Sequence, residues 1–346
     1  MITLGRFAKK LLIKKFLEKN NFSKLKFFFF FIFGICLFVW VYDIFAGPDS
    51  LDLIKENYER LFYLVLAHGI TLYFMSLSWF VLIGERKLSM YWSFIITWIS
   101  QASGKFFPTG TITGEFIRVY LGVKKGLSTP HASSTVFADL VLATFSLFVI
   151  AIFSLFLLVS QNLDFFMGKN NFYFLLTLVT FFFSCIFLFF VVRKRLLRRF
   201  LRKSQQIFNF NLKRRTLRTL LKIDFLLFRL SFQKIKVLKA LILRLMGWLS
   251  GAFEIFVFLW IIGVECNYMD LVILESFIGV IKAFVFFIPA GLGVQELAFV
   301  VIGDFVGFNG TIAFSIALGR RIREILVSFP AVIAWVVLFR QKGSFK

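Results

Sequence analysis

The sequence predicts an all-α membrane protein that crosses the bilayer several times. Of its 346 residues, 59% are hydrophobic and only 17% are charged, whereas soluble domains carry about a quarter charged residues. Long apolar runs recur along the whole chain, and the net charge of +23 is concentrated between them rather than within them. A nucleic-acid-binding protein would spread such charge over a soluble surface. We therefore expect a membrane protein with no nucleic-acid partner.

Six apolar runs approach the roughly 20 residues that a transmembrane helix needs. They cover residues 25–46, 61–84, 132–160, 172–192, 241–263 and 311–339. The first run follows basic residues, as in a signal peptide, but it is long enough to span and lacks an A-x-A cleavage site. We expect it to be a retained anchor.

Two further apolar stretches, 90–122 and 271–307, are interrupted near their middle by Pro and Gly, at 107–110 and 288–291. Proline removes a helix hydrogen bond and glycine loosens the turn, so each stretch is predicted to break into two short helices. Such a pair can form a re-entrant hairpin, which enters and leaves the bilayer on one side. A single kinked span is the alternative.

Lys and Arg residues in short flanking segments indicate which loops are cytoplasmic. Residues 1–26 hold eight Lys and Arg against one Glu, and residues 193–239 hold 16 against Asp224 alone. The acidic loops at 47–60 and around Glu265 are expected outside. Both termini are therefore predicted to be cytoplasmic, in an inner or plasma membrane.

This charge pattern divides the chain into a basic cytoplasmic segment, 1–26, and a single transmembrane domain, 27–346. Within that domain we expect one repeat at about 61–160 and a second at about 241–339. Between them, residues 193–239 alternate Leu and Phe with Arg and Lys. This pattern is typical of a basic amphipathic helix that lies on anionic lipid.

The repeat is predicted from a motif shared by the two broken stretches. Pro108-x-Gly110 and Pro289-x-Gly291 are each followed by a Glu seven residues after the Pro, with an offset of 181 residues. The charge-based topology places the two stretches in opposite orientations, so the repeat should be inverted. In many secondary transporters, inverted repeats bring broken helices together around a substrate near the bilayer midplane.

Charged side chains within a span are costly and usually mark function or a tight ion pair. On the last span, Arg320, Arg323 and Glu324 share one helix face, and Arg321 points about 100° away. Ten residues are predicted to form a substrate site: Gly110, Glu115, Arg118, Asp139, Gly291, Gly293, Glu296, Arg320, Arg321 and Glu324. The alternative is that the charges form ion pairs that only hold the helices together.

The chain resembles the lysylphosphatidylglycerol synthase transmembrane-region family of flippase-like proteins. The resemblance rests on the second motif, 289–296, with the arginine-bearing span after it, and on the first motif with Arg118. The resemblance covers about residues 20–340 and implies an integral membrane protein that moves or handles a lipid. Aminoacyl-transferring members carry a further soluble catalytic domain, which we do not expect in this chain. The first motif departs from the family form at 111–113, which leaves the substrate open.

The leading functional hypothesis is translocation of an anionic lipid or lipid-linked precursor. Arg118, Arg320 and Arg321 would bind the head group, and Glu115, Asp139 and Glu296 would act as counter-ions or proton carriers. The sequence lacks a Walker motif, and its scattered Cys and His residues favour neither a metal nor another cofactor. There are two alternatives: an enzyme of lipid head-group or lipid-linked sugar transfer, and a non-transporting partner subunit. A homo-oligomer or a lipid-synthesis partner is left open.

Overall fold

A computed structural model of the protein describes residues 28–84, 87–106, 111–161, 214–285 and 288–339. These residues are helical and contain no strand. The helices are α1 (Phe28–Ala46), α2 (Asp49–Glu56), α3 (Phe62–Ile83), α4 (Met90–Phe106), α5 (Thr111–Lys124), α6 (Thr129–Gln161), α7 (Arg214–Ser231), α8 (Lys234–Ile261), α9 (Tyr268–Phe284), α10 (Val294–Phe305) and α11 (Gly310–Phe339).

Five of these helices are long and apolar enough to cross a membrane: α1, α3 together with the turn before it, α6, α8 and α11. They confirm five of the six predicted spans and the prediction of an all-α polytopic fold. The predicted span at 172–192 lies outside the described residues. Helix α8 begins earlier than predicted, at Lys234, and so takes in the end of the basic segment.

Each broken stretch forms two short helices, as its Pro and Gly predict. The first pair is α4 and α5, whose connection at 107–110 lies outside the described residues. The second pair is α9 and α10, joined through a short 3-10 turn at Pro289–Gly291. Ala290 adopts a φ of 53° there, a left-handed conformation that no ordinary helix contains.

The helices pack so that the two halves of the chain interlock. Helices α3 and α8 lie against each other, α4 packs against α11, and α9 packs against α6. Within the first pair, Ser100 Oγ donates a hydrogen bond to the Gly114 carbonyl at 2.8 Å, so α4 and α5 are in close contact. Each pair of short helices is therefore held by a long helix from the other half.

Helix α7 and the first turns of α8 form the described part of the predicted amphipathic segment, whereas 193–213 lies outside the described residues. Helix α7 packs against α6. Asp224, Leu227 and Leu230 are buried, while Phe225 is exposed. One face of α7 therefore contacts protein.

Candidate functional site: a charged cavity between the two helix pairs

A cavity of about 400 Å³ lies where the two broken stretches meet the long helices. Its wall is formed by α3, α4, α5, α6, α8, α9 and α11, and by the turn that carries Ala290 and Gly291. The ionised lining comprises Lys105, Glu115, Arg118, Arg244, Glu254, Glu275, Lys282, Arg320, Arg323 and Glu324, with His68 beside them. An apolar part of the wall includes Met75, Leu140 and Trp248.

One side of the wall is held by Asp139 of α6, which is fully buried. Arg118 Nη1 donates to Asp139 Oδ2 at 2.7 Å, and Arg244 Nε donates to Asp139 Oδ1 at 3.0 Å. Ser78 Oγ donates to the same Oδ1 at 2.8 Å. One carboxylate thus joins α3, α5, α6 and α8. We call these four side chains the Asp139 cluster.

Arg118 retains an unsatisfied group at the cavity. Its Nη1 lies 3.3 Å from Glu115 Oε2, which is close enough for an ion pair. Within the described part of the chain, that carboxylate oxygen nevertheless has no hydrogen-bond partner, and neither does Arg118 Nε. A buried donor without a partner costs about 1–3 kcal/mol, so both groups have unused binding capacity.

The other side of the wall is held by Glu254 of α8. Its Oε1 accepts from Thr71 Oγ1 at 2.7 Å and lies 2.8 Å from His68 Nδ1, and its Oε2 lies 2.8 Å from Arg323 Nη2. Arg320 of α11 pairs with Glu275 of α9. These contacts tie α11 to α3, α8 and α9.

Two lysines occupy the last turns of the first helices of the two pairs, Lys105 on α4 and Lys282 on α9. Lys105 Nζ lies 3.2 Å from Glu324 Oε1. Among the described residues, no carboxylate lies within ion-pair distance of Lys282 Nζ. Lys282 therefore lies on the cavity wall without a direct counter-ion in the described part of the chain.

The charges of the described wall, with Asp139 included, also sum to one positive charge in excess. The lining holds six Lys and Arg against four Glu. Asp139, directly behind it, neutralises part of the excess through the two arginines that it binds. One positive charge remains, and Lys282 carries it.

Arg321 and Glu296 lie behind the wall and stabilise the Pro289–Gly291 turn. Arg321 Nε lies 2.6 Å from Glu296 Oε1, and Arg321 Nη1 donates to the Ala290 carbonyl at 2.8 Å. Glu296 Oε2 accepts from the Gly293 backbone N–H at 2.7 Å. The Glu of the second motif thus caps α10 and, through Arg321, holds the left-handed turn in place.

Gly293 packs against α1. A Cβ on Gly293 would lie 2.5 Å from the Gly34 carbonyl oxygen and 2.8 Å from Leu37 Cβ. Because these distances are too short for any side chain, glycine is required there for helix packing. The second motif therefore also joins the turn to the first transmembrane helix.

The structure thus divides the ten predicted site residues. Five line the cavity: Glu115, Arg118, Gly291, Arg320 and Glu324. Asp139 is bonded to the wall, whereas Gly293, Glu296 and Arg321 lie away from the cavity, and Gly110 lies outside the described residues. The predicted face of α11 is confirmed, because Arg320, Arg323 and Glu324 reach the cavity and Arg321 does not.

The predicted site omits seven charged or titratable residues of the cavity that the sequence could have indicated: His68, Lys105, Arg244, Glu254, Glu275, Lys282 and Arg323. All seven lie inside predicted apolar stretches, and their position there is the same signal that identified the other charges. Among the described residues, no group of three or more His, Cys, Asp or Glu side chains could hold a metal ion.

The fold and the cavity define a class: a multi-pass, all-α membrane protein with a charged cavity between broken helices. The chain belongs to the lysylphosphatidylglycerol synthase transmembrane-region family, whose family model matches residues 27–331. Membership indicates a lipid-related function in a membrane and confirms the resemblance noted from the two motifs. Neither the curated proteins nor the solved structures contain a match to the chain.

Proposed function

We propose that the protein translocates an anionic lipid or lipid-linked precursor across the bilayer, with the head group held in the central cavity. The observation that carries this proposal is Lys282, a cation on the cavity wall without a direct partner among the described residues. A charge within a membrane protein is costly unless it is paired. An anionic head group would supply the missing counter-ion.

Two neighbouring groups support the same assignment. Arg118, whose Nε is buried and has no hydrogen-bond partner among the described residues, lines the cavity, and Arg320 lies on the same wall. Guanidinium groups suit phosphate because several N–H donors share one plane. We propose that Lys282, Arg118 and Arg320 bind the head group, with Glu115 and Glu324 as exchangeable counter-ions. Arg321 and Glu296 hold the turn that brings Gly291 to the cavity.

The apolar part of the wall suits the remainder of a lipid. Met75, Leu140 and Trp248 lie on the cavity together with the charged groups. A site that combines apolar area with a few placed polar groups is typical for small amphiphilic ligands. An inorganic anion would leave this apolar surface unused.

We also propose that the two helix pairs are re-entrant halves of an inverted repeat. The helix bounds support the repeat: shifted by the offset of 181, α5 would cover 292–305 and α6 would begin at 310, against Val294–Phe305 and Gly310 in the structure. The packing is reciprocal, since α4 contacts α11 and α9 contacts α6. Such halves give a transporter two related conformations, one open to each side.

The test is lipid movement in vesicles that contain the purified protein. We would follow acyl-labelled phosphatidylglycerol between leaflets for the wild type and for Lys282→Gln, a change that breaks no described ion pair. We expect the rate to fall about tenfold, because one charge-assisted contact is worth about 1.4 kcal/mol or more. Lys55→Gln is the matched control, since Lys55 is exposed and its one ion pair within the described residues is with Asp52 on α2.

Equal rates for the wild type, Lys282→Gln and a double variant, Arg320→Ala with Glu296→Gln, would overturn the proposal. Labelled phosphatidylcholine provides the head-group comparison. If it moves as fast as phosphatidylglycerol and is slowed equally by Lys282→Gln, the cavity does not select an anion.

A further inference from the structure

A second pocket, of about 600 Å³, lies at the other end of the same helices. Its wall is formed by the C-terminal end of α3, the first turns of α6 and α8, and the last turn of α7. Four cations line it: Lys87, Arg229, Lys236 and Lys239. Among the described residues, no Asp or Glu lines it. We call it the basic pocket.

The lining suits a phosphate-bearing ligand. Lys236 Nζ extends over Gly84, within 3.7 Å of where a Cβ would stand. His131 adds a ring whose Nε2 lies 3.2 Å from the Ile83 carbonyl oxygen. Ser134 and Thr135 complete the lining on α6, and their hydroxyls donate to the His131 carbonyl. Lysine and arginine side chains are typical partners of phosphate oxygens.

The surroundings favour a lipid over a soluble phosphate. Ile235, which lines the pocket, is 73% exposed, and the neighbouring Phe232 and Leu238 are 54% and 57% exposed. These side chains present an apolar surface directly beside the cations. A lipid would use both surfaces, with its phosphate among the lysines and its acyl chains along the exposed apolar residues.

The basic pocket and the central cavity are separated by the Asp139 cluster. Along α6, His131, Ser134 and Thr135 line the pocket, Asp139 follows, and Leu140 and Ala143 line the cavity. Helices α3 and α8 show the same order, with Ser78 and Arg244 on the cavity side of the pocket residues. At about 1.5 Å per residue, the nearest lining residues of the two sites are about 7.5 Å apart along these helices.

We infer that the basic pocket binds the phosphate head group of an anionic membrane lipid from the adjacent leaflet, as a site distinct from the central cavity. Binding there is an equilibrium property, so it does not depend on whether the protein translocates lipid. The charge asymmetry of the chain predicts that this pocket lies on the cytoplasmic side, where basic pockets between transmembrane helices meet anionic lipid.

The test is a binding titration of the full-length protein in zwitterionic micelles with acyl-labelled phosphatidylglycerol. The pocket variant combines Lys87→Gln, Lys236→Gln and Lys239→Gln. The matched control combines Arg218→Gln, Lys222→Gln and Lys234→Gln, which also removes three exposed cations but leaves the pocket lining unchanged. We expect affinity to fall about tenfold or more in the pocket variant and less than about twofold in the control.

Two further arms decide the nature and independence of the site. Repeating the titration in a Lys282→Gln background separates the pocket from the cavity: the loss caused by the pocket variant should persist there. If Lys282→Gln alone abolishes all specific binding, the basic pocket is not a separate site. If glycerol phosphate displaces the label as effectively as unlabelled phosphatidylglycerol, the pocket is a soluble-phosphate site and the lipid assignment is wrong.

Discussion

Arg118 of α5 donates to Asp139 of α6 across 2.7 Å, in the layer of protein that separates the basic pocket from the central cavity. The same carboxylate accepts from Arg244 and Ser78, so it is the shared counter-ion of two guanidinium groups. Any change in Asp139 therefore alters charge balance, helix packing and the partition between the two sites together.

Replacing Asp139 with Asn should destabilise the protein strongly. The change keeps the side-chain shape but leaves two buried arginines without a counter-ion, which typically costs about 3–5 kcal/mol. Thermal unfolding in micelles, followed by Trp fluorescence, measures the loss. Ser78→Ala is the control, since it removes one neutral donor, whose hydroxyl is shared between Asp139 and the Ala240 carbonyl, and should cost about 1 kcal/mol. Adding Arg244→Met to Asp139→Asn should recover part of the loss, and strictly additive costs would contradict a shared ion-pair cluster.

The two cavity lysines should respond differently to replacement by Met. Lys105→Met removes a partner from Glu324, which lies 3.2 Å away, and should lower the free energy of unfolding by about 1–3 kcal/mol. Lys282→Met removes a cation without breaking any described ion pair. It should therefore leave the free energy of unfolding unchanged or raise it. The same unfolding measurement compares them. Equal destabilisation by both changes would show that Lys282 has a strong partner.

Gly114→Ala should separate α4 from α5. A Cβ at this position would lie 2.6 Å from the Ser100 carbonyl oxygen, which is backbone and cannot move without shifting the helix. Overpacking of this kind costs about 1–3 kcal/mol. Gly69→Ala is the matched control, because nothing lies within 4 Å of its Cβ position and Ala favours a helix over Gly by about 1 kcal/mol. Equal unfolding temperatures for the two variants would contradict the close contact.

The re-entrant arrangement makes a prediction about the ends of each helix pair. In a background without native cysteines, Ser89→Cys and Ser128→Cys flank the first pair, and Glu265→Cys and Asp304→Cys lie at the ends of the second; all four positions are exposed. A membrane-impermeant thiol reagent should label the first two from the cytoplasmic side only and the last two from the outer side only. Labelling of one pair's two ends from opposite sides would instead make that stretch a kinked continuous span.

Local sequence signals predicted the helices and their breaks because those signals act over a few residues. Pro and Gly at 107–110 and 288–291 locate the interruptions, since the loss of a backbone donor and the freedom of glycine are local properties. Spacing on α11 likewise predicted that Arg320, Arg323 and Glu324 share a face. Helix α8 extended beyond its predicted start because its first turns carry lysines that lengthen the helix beyond its apolar core.

Partner choice among the charges needed the tertiary structure. Arg118 and Arg244 reach one carboxylate from different helices, and Glu296 binds Arg321 while Arg321 holds the turn before it. Sequence separation is no guide to such pairs, because helix packing decides which side chains meet. The two glycines of the second motif also have different positions that the sequence does not reveal. Gly291 lines the cavity, whereas Gly293 packs against α1.

Apolar length, charge distribution and two short motifs are properties of the chain alone, and they suffice to identify a multi-pass helical membrane protein of a lipid-related family. Helix packing sets which buried charges neutralise one another and which one, among the described residues, has no direct partner on the cavity wall. A charge in a membrane is stabilised by the counter-ion that packing brings within a few ångströms, and packing joins residues that are far apart in the sequence.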